Sequence, residues 1–232
     1  GMRAAKGAIE DFSIDPLSGE PMILTIGNVR PKGICGSGLI TMIAVMYEQG
    51  VIDPQGKFNR DLQTPRIRST DGGQEYVLAW RDETQVDRDI VLTEIDIENF
   101  IRAKGAIYSA SMTLLAEVGL GVRDLERIIL SGGFGSYVDL EKAMTIGLLP
   151  EIDPDRVTFV GNGSLMGAKM SSLTNRIRKD VVEVTRKMTN FELSETTSYM
   201  DNYVAALFLP HTDFDQFPKL KARMAERNAL RS

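Results

Sequence analysis

The chain changes its hydrophobic period twice. Met22-Ile23-Leu24-Thr25-Ile26 is a short β-type run closed by Gly27-Asn28. From Leu39 to about Gln49 the residues are mostly apolar, and Gly50 stands where a glycine ends a helix. Residues 53–65, with two prolines and a glycine, read as loop. The runs 66–70 and 75–80 flank Asp71-Gly72-Gly73-Gln74, which predicts a β-hairpin. Residues 89–92 predict another short strand. Thr93 then opens the longest helix, with Asp96 three residues on as its capping-box partner. Ile97, Ile101, Tyr108, Met112, Leu115 and Val118 keep helical spacing, and Gly119 ends it.

Beyond Gly119 the order becomes strand, turn, helix, repeated. Residues 127–130 and 157–160 are apolar without alternation, and helices are predicted over 140–146 and from Leu165 to about Met188, the latter with a break. Such strands predict an α/β sheet covered on both faces. The short right-handed connection predicts that the two strands lie side by side in one mixed or mainly parallel sheet, with helix 93–118 on one face. A late helix, 198–209, is stopped by Pro210, and the charged remainder predicts a solvated terminal helix or frayed tail.

Composition narrows the function classes. The 232 residues are 43% hydrophobic and 25% charged, as in globular domains. A net charge of −5 argues against sequence-independent nucleic-acid binding. One cysteine permits no intrachain disulfide and no four-thiolate cluster, and one histidine no histidine-based metal site. A free thiol suits the cytoplasm, and no run predicts a membrane span or a signal peptide.

Chemistry is concentrated in the turns. Ser131-Gly132-Gly133-Phe134 follows one buried-type strand, and Gly161-Asn162-Gly163-Ser164 follows the next and leads into a helix. Glycines let a ligand approach the backbone, and a helix start offers free N–H groups to an anion. One such loop alone reads as a tight turn; two at the carboxyl edge of neighbouring strands favour a ligand crevice. The loop Gly33-Ile34-Cys35-Gly36-Ser37-Gly38 lacks the Gly-Lys-Ser/Thr ending of a phosphate loop. Cys35 has no histidine preceding it to act as a base and reads as a small buried residue. His211 reads as a helix-end residue without a catalytic role. The 11 methionines read as core filler.

The turn Leu130-Ser131-Gly132-Gly133-Phe134, preceded by a long helix, resembles the adenosine motif of the actin-like ATPase superfamily, which includes acetate and sugar kinases and the large chaperone ATPases. Arg102-Ala103-Lys104 on that helix is similar to a stretch that borders adenosine in the chaperones, so the resemblance implies that Lys104 and Tyr108 border the nucleotide. More blocks resemble the C-terminal region of the reductive activators of corrinoid proteins, also called ferredoxin-like metal-binding proteins. These are Met2-Arg3-Ala4-Ala5, Gly33-Ile34-Cys35-Gly36-Ser37-Gly38-Leu39, Gly132-Gly133-Phe134-Gly135, Ile146-Gly147-Leu148-Leu149-Pro150, Gly161-Asn162-Gly163-Ser164-Leu165 and Ala205-Ala206-Leu207-Phe208-Leu209-Pro210-His211-Thr212.

This resemblance implies an α/β, ribonuclease H-like C-terminal lobe of an actin-like ATPase, a mixed sheet flanked by helices with a small β-hairpin insertion. Residues 1–190 would form the lobe with the adenosine half of the cleft, and residues 191–232 a helical extension packed on it or trailing from it. The implied nucleotide-binding residues are Ser131, Gly132, Gly133, Phe134, Lys104, Tyr108, Gly161, Asn162 and Gly163, with no catalytic and no metal-binding residue. The implied activity of the parent is ATP-dependent return of cob(II)amide corrinoid proteins to cob(I)amide for methyl transfer. Its cofactors would be ATP or ADP with magnesium, plus a two-iron two-sulfur cluster in an N-terminal ferredoxin domain. The partner would be a corrinoid protein or corrinoid-dependent methyltransferase, with a homodimer as the candidate assembly. Neither Asp-Ile-Gly-Thr phosphate motif of the superfamily is present, so the chain is expected to be a C-terminal fragment, inactive alone. The competing expectations are a lobe of an actin-like small-molecule kinase and a non-catalytic protein-binding module of the same fold.

Overall fold

The computed structural model describes residues 1–15, 19–132 and 138–231. A mixed three-stranded sheet comes first: β1 (Ala8–Ile14) lies between antiparallel β2 (Pro21–Thr25) and parallel β3 (Gly33–Ile34). The sequence pattern missed β1, because its apolar positions do not alternate strictly: Ala8, Ile9 and Phe12 are buried and Asp11 is exposed. Helix α1 (Gly36–Glu48) follows and packs on β1.

Helix α1 is apolar almost all round, and nine of its residues are buried. Its approach to β1 explains a glycine in its first turn. A Cβ on Gly38 would stand 2.2 Å from the Ile9 carbonyl oxygen, so only glycine fits. Cys35 is buried beside it, with its Sγ 3.1 Å from the same carbonyl oxygen, as a close-packed loop residue should be.

The predicted hairpin is present as β4 (Ile67–Thr70) and β5 (Gly73–Ala79), and β6 (Ile90–Thr93) adds to β5 to make an antiparallel three-stranded sheet. Tyr76 of β5 joins this sheet to the first. Its ring meets Phe12 edge-on at 6.5 Å and stacks on Phe58 at 6.3 Å. Helix α2 (Glu94–Glu117) starts where expected: Thr93 Oγ1 accepts from the Asp96 N–H at 3.1 Å, and Asp96 accepts from the Thr93 N–H at 3.1 Å.

The parallel pair β7 (Ile128–Leu130) and β8 (Val157–Phe159) lies side by side, joined through α3 (Leu140–Thr145). Helix α2 packs mainly on β5, β6 and α6 (Tyr199–Ala205), not on this pair as its position in sequence suggests. The pair is also not covered on both faces: Ile129 is 62% exposed. The predicted long helix is broken at Thr174 into α4 (Gly163–Leu173) and α5 (Asn175–Lys187), and Thr174 accepts from the Arg176 N–H as the new cap.

The late helix is shorter than expected, because the chain leaves α6 at Ala206 and runs as an irregular strap, residues 206–217, into α7 (Pro218–Arg231). The strap and α7 belong to the core: Leu209, Phe217 and Leu220 are all buried. Glu151 caps α7 by accepting from the N–H groups of Lys219 and Leu220. Arg223 holds it down, bonding Glu48 of α1 at 2.9 Å and Glu141 of α3 at 2.6 Å.

Gly38→Ala should lower the unfolding free energy by about 1–3 kcal/mol, the usual cost of forcing an atom into packed structure. Gly72→Ala, in an exposed turn with only the Thr70 hydroxyl within 4 Å, should change it by less than about 0.5 kcal/mol. Urea unfolding of the two variants beside the native chain checks both.

Candidate functional site

The carboxyl ends of β7 and β8 bring five of the expected residues together. The ladder continues past the strands: Val160 N–H donates to the Leu130 carbonyl at 3.0 Å and Gly132 N–H to the Gly161 carbonyl at 2.6 Å. Ser131 Oγ then accepts from the Gly163 N–H at 3.1 Å. The two turns are thus tied to one another before α4 begins.

Glycine is required here for two different reasons. Gly132 and Gly161 have φ of 110° and 62°, in the left-handed region, and a Cβ on either would meet nothing within 4 Å. The space over both turns is open. Gly163 is different: its Cβ would lie 2.6 Å from the Ser131 hydroxyl, so it lets the two turns close on one another. Asn162 caps α4, its Oδ1 accepting from the Leu165 N–H at 2.9 Å. The result is a shallow, solvent-facing shelf of main chain and small side chains. It can receive a flat or polar ligand by its backbone, and among the described residues Ser131, Gly132, Gly161, Asn162 and Gly163 it carries no ionisable side chain. Gly133 and Phe134, expected at the same place, lie outside the described residues.

The structure turns Lys104 and Tyr108 onto the strap instead. Lys104 is 1% exposed, and its ammonium donates to the carbonyls of Phe208 and Pro210, the latter at 2.6 Å. Burial pulls its pKa down to about 7. The Tyr108 hydroxyl donates to the Gln216 Oε1 at 2.9 Å, and burial pushes its pKa up to about 12. The sequence pattern showed that these residues share a helix. It carried no sign that a segment 100 residues away would cover them.

Comparison with known proteins places the chain. The model of the C-terminal domain of RACo, the ASKHA domain, matches residues 1–221. The chain belongs to that family. The α/β architecture with helix-flanked sheets is that of the actin-like lobe, and an ASKHA domain implies nucleotide binding. A solved structure of a reductive activator for a corrinoid, iron–sulfur protein superposes with a TM-score of 0.86 at 46% identity, over 94% of this chain and 35% of that one. Corrinoid activation enzyme RamQ of Eubacterium limosum is 31% identical over 88% of this chain and 35% of its own length. The [Co(II) methylated amine-specific corrinoid protein] reductase of Methanosarcina barkeri is 33% identical over 81% of this chain and 30% of its own. The chain therefore spans about a third of the length of these relatives. Among the described residues no helix is long and apolar enough to cross a membrane, and no three metal-ligating side chains cluster.

Lys104 gives this ASKHA domain a pH signature. Its pKa is near 7 folded and 10.5 unfolded, so between those values the unfolded chain binds the extra proton. The Lys104 contribution to stability is complete above about pH 10.5 and is lost as pH falls to about 7. The stability of the native chain relative to Lys104→Met should rise across that window and be level outside it. Urea unfolding at a series of pH values measures the difference, and a flat difference from pH 7 to 10.5 would contradict a buried, titrating Lys104.

Proposed function

We propose that this chain is the adenosine-side lobe of an ATP-dependent reductive activator, which returns cob(II)amide corrinoid proteins to cob(I)amide for methyl transfer. The observation that carries this reading is the 46% identity, at a TM-score of 0.86, to a reductive activator for a corrinoid, iron–sulfur protein. The two curated relatives support it, since both are named for corrinoid activation or corrinoid protein reduction.

The residues present fit one part of a nucleotide. Gly132 and Gly161 leave open main chain on which a base and ribose can lie, and Ser131, Asn162 and Gly163 fix the shape of that shelf. Gly133 and Phe134 belong to the same turn in sequence. Lys104 and Tyr108 act one layer back in this reading, holding the strap on α2. ATP, when bound, supplies the free energy that an uphill one-electron reduction needs. The chain's own contribution is to bind and orient the adenosine end.

The same residues do not fit the remaining cofactors. A two-iron two-sulfur cluster needs about four ligands, and Cys35 is a single buried thiol bonded to the Ile9 carbonyl. Magnesium finds no cluster of carboxylates among the described residues. Both groups are assigned to the rest of a longer parent, in keeping with relatives about three times the length of this chain. The corrinoid protein would be the partner of that parent, in the cytoplasm.

In a full-length parent, Gly132→Val and Gly161→Val should each weaken ATP binding by at least tenfold, because each fills the open shelf and forces a branched residue into positive φ. Titration calorimetry measures this, and unchanged affinity in both variants would remove the site assignment. The parent should hydrolyse ATP faster when cob(II)amide protein is added. The 232-residue chain alone should be colourless and show no hydrolysis above background, since loss of charge-stabilising groups costs phosphoryl transfer about 10³–10⁵ in rate. Hydrolysis by the parent that ignores corrinoid protein but responds to a sugar or short-chain acid would favour a small-molecule kinase instead.

A further inference from the structure

The strap is fitted to the body with no slack. A Cβ on Gly147 would lie 2.2 Å from the Pro210 carbonyl oxygen, and one on Gly105 would lie 3.2 Å from the Ala206 oxygen. Leu209 N–H donates to the Pro54 carbonyl at 2.8 Å, and Thr212 N–H to the Ala205 carbonyl at 3.0 Å. The strap therefore binds α2, the end of α3 and the loop after α1 to one another. At its centre lies His211, the only histidine of the chain. Its ring packs against Tyr108 at 5.5 Å, and its Nδ1 is 3.0 Å from the Asp213 backbone nitrogen.

We propose that His211 is an acid-sensitive latch: neutral, it holds the strap on α2, and protonated at Nδ1, it releases the strap. The geometry fixes the resting state. A backbone N–H can only donate, so Nδ1 must carry a lone pair and the imidazole proton sits on Nε2. Adding a proton at Nδ1 sets two N–H groups against one another and breaks the turn that seats the strap. It also puts a second cation beside Lys104, whose ammonium already bonds the neighbouring Pro210 carbonyl.

The other groups facing His211 do not cancel this effect. The Asp213 carboxylate favours the imidazolium, but its oxygens already accept from the Asp215 N–H and the Gln216 amide, each at 3.1 Å. Tyr108 stays neutral across the range, its pKa pushed up to about 12. Burial first, then the Lys104 charge, holds the His211 pKa below its ordinary 6.5, and these outweigh Asp213.

The sign follows from linkage. A latched pKa below the open-strap value of 6.5 means that the open form binds the proton better. The latch is whole above about pH 6.5 and fails as pH falls from there through the latched pKa. Lys104, whose folded pKa is about 7, is mostly charged at pH 6.5 and increasingly so below it.

Because there is one histidine, its imidazole resonances in the 232-residue chain titrate without overlap. Their midpoint should lie below 6.5. Hydrogen exchange of the strap amides, corrected for the intrinsic pH dependence of exchange, should rise tenfold for each unit by which that midpoint falls short of 6.5, and then level off. His211→Asn keeps an acceptor near the Nδ1 position and cannot titrate, so its strap protection should be flat between pH 5 and 6, below the Lys104 transition. A midpoint at or above 6.5, or a strap that opens equally in acid without the histidine, overturns the latch. If His211→Asn does not fold, the native chain still decides, through agreement or disagreement between midpoint and exchange.

Discussion

Helix α1 has almost no polar face, and nine of its thirteen residues are buried, so the body is arranged around the need to cover it. Strand β1 covers one side and comes so close that Gly38 can carry no side chain. The meander β4–β6 reaches the same core through Tyr76, between Phe12 and Phe58. Helix α7 closes another side, and its attachment is electrostatic as well as apolar. Glu48 at the end of α1 accepts from both Lys142 and Arg223, so one carboxylate ties α1, α3 and α7 together. Partly buried pairs of this kind need each partner. Removing one leaves the other without its counter-charge in a poorly solvated place.

Covering α2 raises a different problem. Its inner face carries Lys104, a charge that burial disfavours, and the strap meets that charge with two main-chain carbonyls rather than a carboxylate. The ammonium is hydrogen-bonded but pairs with no carboxylate among the described residues, and burial pulls its pKa down. His211 sits one residue beyond the second carbonyl. The least forgiving part of the core therefore lies beside the one side chain that ordinarily titrates near neutrality.

The shelf formed by β7 and β8 stands apart from this core in kind. Parallel strands are ordinarily covered on both faces. Here Ile129 is 62% exposed, and the following helices expose Leu165, Leu173 and Met188 at 66%, 72% and 71%. A shelf built mainly of main chain and glycine binds by shape and leaves chemistry to groups brought from elsewhere. That is consistent with an adenosine-side role in a longer reductive activator.

The sequence by itself determined what is local. Thr93 and Asp96 announced α2, the Asp71–Gln74 turn announced the hairpin, and the turns at 131–132 and 161–163 announced the shelf, because caps, turns and positive φ depend on residues within a few positions of one another. The paired blocks around those turns also carried the resemblance to the reductive activators. Tertiary structure alone decided the rest. It placed β1, whose burial pattern follows two neighbouring strands and a helix rather than strict alternation. It moved α2 from the β7–β8 pair onto β5, β6 and α6. It turned Lys104 and Tyr108 to the strap and set a half-buried histidine against Tyr108. Several of these depend on contacts far apart in the chain, as between Lys104 and Pro210, 106 positions away, and hydrophobic periodicity records only that a face is buried, not which segment buries it.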